Sequence, residues 1–229
     1  MSKKNPNLYL SKSLYTKGLQ CEKALWLKKY NPKVLTPPDV KTQAKFDTGN
    51  VVGALACKLF PGGKEIPFIG TDFSEKIALT QEWLNDGIKN IYEATFQFNS
   101  VLAMIDIFHQ KDDGNFEIYE VKSSTWHNNK SIKEIGKYIP DAAIQYYVLR
   151  GLGYNISDIY ITLLNTDYVM GDELDIGQLF SHVNVTEEIL RLQHDIPSIL
   201  VDIREKLKDT VNEPNIDIGW HCKNPYDCD

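Results

Sequence analysis

The stretch VLAMIDIFHQKDDGNFEIYEVKSS, residues 101–124, decides how this sequence is read. Two strand-like runs, Val101 to His109 and Phe116 to Ser123, flank a turn rich in Asp and Gly. The first run is apolar on both faces, with Val101, Ala103, Ile105 and Ile107 on one and Leu102, Met104 and Phe108 on the other, which predicts a central, buried strand. Asp106 interrupts the second face. A charge buried in a strand costs on the order of several kcal/mol unless it is paired, so it needs a partner or a task. On the returning run Phe116, Ile118, Glu120 and Lys122 share a face, because side chains alternate with period two.

The turn determines whether Asp106 joins them. A two-residue Asp113-Gly114 loop sets Asp106 opposite Val121 and puts the carboxylates on different faces; a three-residue Asp112-Asp113-Gly114 loop sets Asp106 opposite Glu120. Both turns are chemically sound. In the second register the two acids repel one another in a low dielectric and require a cation. Asp106, Glu120, the backbone carbonyl of Val121 and waters are the hard oxygen ligands that Mg2+ prefers. Lys122 projects onto the same face, where an ammonium group can act on a metal-bound water or neutralise charge on a phosphoryl oxygen. A basic group filling the gap between the acids would remove the basis for such hydrolysis.

The rest of the sequence supplies the frame. With 229 residues and 42% hydrophobic composition, one sizeable core is expected. Helices are predicted at Lys41 to Phe60, Glu75 to Trp83, Asp141 to Leu152 and Thr186 to about Lys208; strands at Ile91 to Gln97 and Ser157 to Leu164 join the hairpin. An N-terminal helix over SLYTKGLQCEKALWLKKY would turn Leu19, Ala24, Leu25 and Leu27 inward. Gly49, Gly53, Ala56 and Cys57 give one helix face little bulk, so that a backbone or ligand could approach it. Gln145 lies on an inward stripe with Ala142, Tyr146 and Leu149, a polar group aimed at the sheet. The order helix, three strands, helix, strand predicts an α/β fold with a mixed central sheet flanked by helices. The division expected is a basic N-terminal arm with Cys21 (1–40), a core (41–210) and a Cys-containing tail (211–229).

Net charge is −6, unevenly spread: residues 1–50 carry ten Lys against Glu22, Asp39 and Asp47. A basic segment on an acidic body suits a polyanionic partner. No apolar run reaches membrane-spanning length and the N-terminus lacks a signal-peptide centre, so a cytoplasmic protein with reduced cysteines is expected. Phosphate contacts would fall to lysines such as Lys12, Lys17, Lys130, Lys133 and Lys137, and Trp126, His127 and Tyr146 are candidates to meet nucleotides. Glu93 is an additional acid in the strand before the hairpin.

Asp106 in MIDIF, Glu120-Val121-Lys122 in YEVKSS and Gln145 in DAAIQYYVL, taken in order, resemble the PD-(D/E)XK nuclease superfamily, in its RecB-like branch with the CRISPR-associated exonucleases. The LSKSLYTKGLQC start and the CKNPYDC segment resemble a bacterial family of unknown function within it. The resemblance, which covers residues 8–228, implies a restriction-endonuclease-like core and hydrolysis of DNA phosphodiesters with Mg2+ or Mn2+. It implies that Asp106 and Glu120 are metal ligands, Lys122 the catalytic lysine and Gln145 the glutamine of the helix motif. Gly53 stands where RecB-like members often have a metal-binding His, and Leu149 where a Tyr is usual; a catalytically weakened DNA-binding or scaffold module is therefore the alternative. The branch also implies a [4Fe-4S] cluster, for which Cys21, Cys222 and Cys228 match three of four ligands, the fourth falling in a C-terminal region outside this chain. A zinc site made by these cysteines with His221 is the other reading of the same residues. Strand polarity and oligomeric state have no signature in the sequence.

Overall fold

The computed structural model describes residues 9–67, 72–127 and 129–228. The first eight residues of the expected N-terminal arm lie outside them. A mixed seven-stranded sheet forms the centre, in the order β2 (Lys64–Glu65), β3 (Asn90–Phe98), β4 (Val101–Gln110), β5 (Phe116–Trp126), β6 (Ile156–Asn165), β7 (Phe180–Asn184), with β1 (Leu10–Ser11) also paired to β4. β3, β4 and β5 run antiparallel, as a meander joined by short turns must, whereas β6 is parallel to β5 because α5 (Ile139–Gly151) crosses over between them. Helix α3 (Val40–Cys57) and α4 (Phe73–Asn85) precede this unit, so the expected order of helix, three strands, helix and strand is present.

Two hydrophobic clusters sandwich the sheet. The larger includes Ile91, Phe108, Ile118, Ile144, Leu149 and Ile161, all fully buried. It also takes in Leu10, Tyr15 of α1 (Lys12–Gln20) and Leu25 and Trp26 of α2 (Glu22–Tyr30), which ties the N-terminal segment to the sheet. The smaller cluster holds Val52 and Ala56 of α3 against Tyr92, Ile107, Tyr119 and Phe180.

Several expectations are corrected. The N-terminal helix is two helices, because Cys21 is extended (φ −161) and its Sγ accepts from the Ala24 N–H as the cap of α2; Leu19 is 41% exposed rather than inward. The helix expected from Thr186 to Lys208 divides into α6 (Thr186–Leu192) and α7 (Ile196–Lys206), since Pro197 in the first turn of α7 has no N–H with which to continue the α6 ladder. Among the described residues a Cβ on Gly49 or Gly53 would meet nothing within 4 Å, so the close approach expected of that face is absent at the two glycines; only Val52 and Ala56 of α3 are buried. The simple alternation in β4 also fails. Ile105 and Phe108 both enter the larger cluster while Ile107 enters the smaller. The break lies beside Glu93, which is left-handed (φ 55); in the register that pairs Tyr92 with Ile107 and Ala94 with Ile105, Glu93 faces Asp106.

Candidate active site

The hairpin uses the three-residue turn. Gly114 is left-handed (φ 84), the Lys111 N–H donates to the Asn115 carbonyl at 2.8 Å, and the ladder pairs Phe108 with Ile118 and Ile107 with Tyr119. The next step of that register sets Asp106 against Glu120. The strands part there: ladder pairing stops at Ile107 and Tyr119, and the Asp106 carboxylate takes over as acceptor, its Oδ2 receiving the Val121 N–H at 2.7 Å. Further along, the edge of β4 that β5 has left is occupied by β1, through Leu10 beside Val101 and Ser11 beside Leu102. Lys12 follows immediately and reaches into the cleft between the two strands.

Glu120 is the centre of the cleft and is 1% exposed. It accepts from Lys12 Nζ at 2.8 and 3.0 Å on its two oxygens, from Lys122 Nζ at 2.7 Å and from Gln145 Nε2. Burial by itself would raise its pKa, but the two ammonium groups outweigh burial and hold the carboxylate below its ordinary range. Asp106 lies 3.8 Å from Lys12 Nζ and shares that cation unequally. Burial and the charge of Glu120 both push Asp106 upward. Glu93 is pushed up to about 7, first by burial and then by the charge of Asp106.

Four of the expected residues thus converge: Asp106, Glu120, Lys122 and Gln145. Gln145 is completely buried; its Nε2 donates to Glu120, and its Oε1 is buried with no hydrogen-bond partner among the described residues. Two participants were missed or misplaced. Asp141, in the first turn of α5, receives Lys122 Nζ at 2.8 Å; its only sequence signal was an acid beside Pro140 at a helix start. Lys12, expected to face phosphate, instead turns its ammonium onto the two acids.

The donor set suits a small divalent ion. Two carboxylates converge on one cationic centre, a buried amide oxygen is unpaired, and Mg2+ is commonly held by one or two carboxylates with waters. Among the described residues, no group of three His, Cys, Asp or Glu side chains is arranged to hold a metal. In this structure the cationic position belongs to Lys12.

The other candidates are dispersed. Trp126 and Tyr146 are buried in the larger cluster and present no stacking face. Lys130 and Lys137 line a cleft of ≈ 370 Å³ with Ser123, Ser124, Thr125 and Tyr138. This cleft adjoins the site, since Lys122 Nζ lies 5.3 Å from the Tyr138 ring centre. Lys133 belongs to the 3-10 segment Ile132–Tyr138. The tail returns to α1, where Gln20 Nε2 donates to the carbonyls of His221 (2.8 Å) and Tyr226 (2.7 Å). Cys21 caps α2; Cys222 and Cys228 are not in a disulfide, and the Cys228 N–H donates to the Cys222 carbonyl at 2.8 Å.

No protein-family model matches the sequence, and no curated protein does. Among solved structures, the chain is similar to an alkaline exonuclease (LHK-Exo) from Laribacter hongkongensis, with 12% identity over 88% of this chain and 90% of that one and a TM-score of 0.35. It is also similar to SSO0001, with 10% identity over 87% and 79% of the two chains and a TM-score of 0.31. At these scores neither likeness decides the chemistry of this chain.

Proposed function

We propose that this protein is a metal-dependent deoxyribonuclease of the RecB-like, CRISPR-associated exonuclease-like kind, hydrolysing phosphodiesters in single-stranded or end-bearing DNA. The observation that carries this reading is the convergence of Asp106, Glu120, Lys122 and Gln145 where β5 parts from β4. Mg2+ or Mn2+ bound at Asp106 and Glu120 would supply Lewis acidity and a more acidic water. The chain's own residues do the rest. Lys122 is held between Glu120 and Asp141; burial alone would lower its pKa, but these carboxylates raise it far above the ordinary lysine range. It is thereby held as a positive charge that can face a phosphoryl oxygen. Gln145 fixes the Glu120 carboxylate with its amide N–H and offers its free Oε1 to a water. The lysines of the adjoining cleft, Lys130 and Lys137, supply backbone charge for the strand.

One observation favours a second reading: Lys12 occupies the gap between the acids, the condition that removes the sequence basis for hydrolysis, so hydrolysis requires an ion that displaces this ammonium, and a binding module with a lysine in place of its ion is the reading if none does. Cleavage assays separate the two. With Mn2+, the enzyme cuts single- or double-stranded DNA and loses cutting in Lys122→Ala; DNA binding without cutting or metal uptake identifies the module, and cutting that survives Lys122→Ala refutes the mechanism. The iron-sulfur or zinc reading rests on Gln20 gathering the tail that bears Cys222 and Cys228 beside Cys21, and visible absorbance or bound zinc in the purified protein tests it. Among the described residues no helix is long and apolar enough to cross a membrane, and a cytoplasmic location is part of the same proposal.

A further inference from the structure

The position of Lys12 follows from the topology. β3 occupies one edge of β4 along its length, while the other edge meets β1 at Val101 and Leu102 and β5 only from Ile107 onward. Lys12 emerges from β1 opposite the unpaired interval. Its backbone is well anchored, with Leu10 1% and Tyr15 2% exposed on either side, while its side chain is 22% exposed. The two ammonium groups differ in their alternatives. Lys122 has Asp141 as a second carboxylate, whereas the ion pairs of Lys12 among the described residues are with Glu120 and Asp106, the two acids expected to hold a metal.

We propose that Lys12 is a resident counter-ion of this site, which a divalent cation displaces, so that metal occupancy and the Lys12–Glu120 ion pair exclude one another. This rests on the metal-site reading above. The physical basis is charge. Without a metal, two neighbouring carboxylates in a low-dielectric cleft need a cation, and a lysine on a flexible stem provides one at little cost in structure. A divalent ion brings twice the charge to the same oxygens, and the released ammonium remains tethered beside the cleft, where the anionic oxygens of a phosphodiester are the natural replacement partner. Lys12 thereby lowers affinity for the metal alone and favours joint binding of metal and substrate.

Two measurements on the full chain test this. In calorimetric titrations with Mn2+, Lys12→Met should bind about 10- to 100-fold more tightly than the wild type, the loss of one charge-assisted competitor, whereas Lys12→Arg should not bind more tightly. Circular dichroism verifies that each variant is folded. In the wild-type protein, reductive methylation followed by mass spectrometry should show Lys12 protected without metal and labelled when Mn2+ is added. If the wild type binds Mn2+ while Lys12→Met binds equally or less tightly, or if Lys12 labelling does not rise on Mn2+ uptake, Lys12 is not displaced and the proposal is wrong. If neither protein takes up Mn2+, the metal reading itself fails and this proposal falls with it.

Discussion

Replacing Glu120 with Gln keeps the side-chain volume and removes the charge on which the cleft is organised. The carboxylate is 1% exposed and accepts from Lys12 twice, from Lys122 once and from Gln145. Removing one member of a buried ion pair costs roughly 3–5 kcal/mol when its partner is sealed in. Here each partner keeps another carboxylate: Lys122 has Asp141 at 2.8 Å and Lys12 has Asp106 at 3.8 Å. The lower end, about 3 kcal/mol, is therefore expected, which for a chain of this length lowers Tm by roughly 6–12 °C. The sign of the pH dependence follows from linkage. Glu120 is held below its ordinary value of 4.5 in the fold, so its contribution is complete above that pH and disappears as the pH falls below it. The Tm difference between wild type and Glu120→Gln, followed by circular dichroism, should be full at pH 7 and shrink below about pH 4. A Tm within about 2 °C of wild type at pH 7 would refute the view that Glu120 carries the charge network.

Glu93 should behave oppositely. Its pKa in the fold is raised from 4.5 to about 7, so the folded state holds a proton that the unfolded chain releases, and stability falls as pH rises through that interval. Glu93→Gln should therefore stabilise the protein at pH 8 by up to about 3 kcal/mol and be nearly neutral at pH 4, as read from urea midpoints; an equal effect at both pH values contradicts the assignment. Gly114→Ala forces a Cβ into the left-handed position (φ 84) of the turn that sets the hairpin register and should cost about 1 kcal/mol in urea unfolding; no loss would mean that the turn does not need the glycine.

The site was legible to the extent that it is local. The Asp112-Asp113-Gly114 turn and the period of a strand are enough to bring Asp106, Glu120 and Lys122 together, and the 3.6-residue period turns Gln145 inward. Both alternatives for the turn were compatible with the sequence, because one glycine serves either loop. Lys12 was not legible as a participant: 108 residues separate it from Glu120, and nothing in LSKS distinguishes a lysine facing two acids from one facing solvent. Glu93 was legible as an additional acid in the strand before the hairpin, but not as a neighbour of Asp106. Its left-handed backbone breaks the alternation on which a face assignment depends, so Ile107 and Phe108 exchange clusters and the period of the sequence misleads at that point.

The same departure from regular pairing creates the chemistry. A buried strand edge with no partner leaves N–H groups unsatisfied, and where β5 parts from β4 the Val121 N–H is satisfied by Asp106 Oδ2. One oxygen of this carboxylate is thus committed to holding the strands apart, and the other, Oδ1, faces Lys12 at 3.8 Å. Asp106 is consequently structural and electrostatic at once: the bond that keeps the cleft open fixes the direction of the oxygen that faces the cation. Glu120 differs in that all its partners are side chains, so it follows whichever cation the cleft contains. The asymmetry makes Asp106 the rigid half of the pair and Glu120 the adaptable half, and it is through Glu120 that exchange of Lys12 for a metal would be transmitted to Lys122 and Gln145.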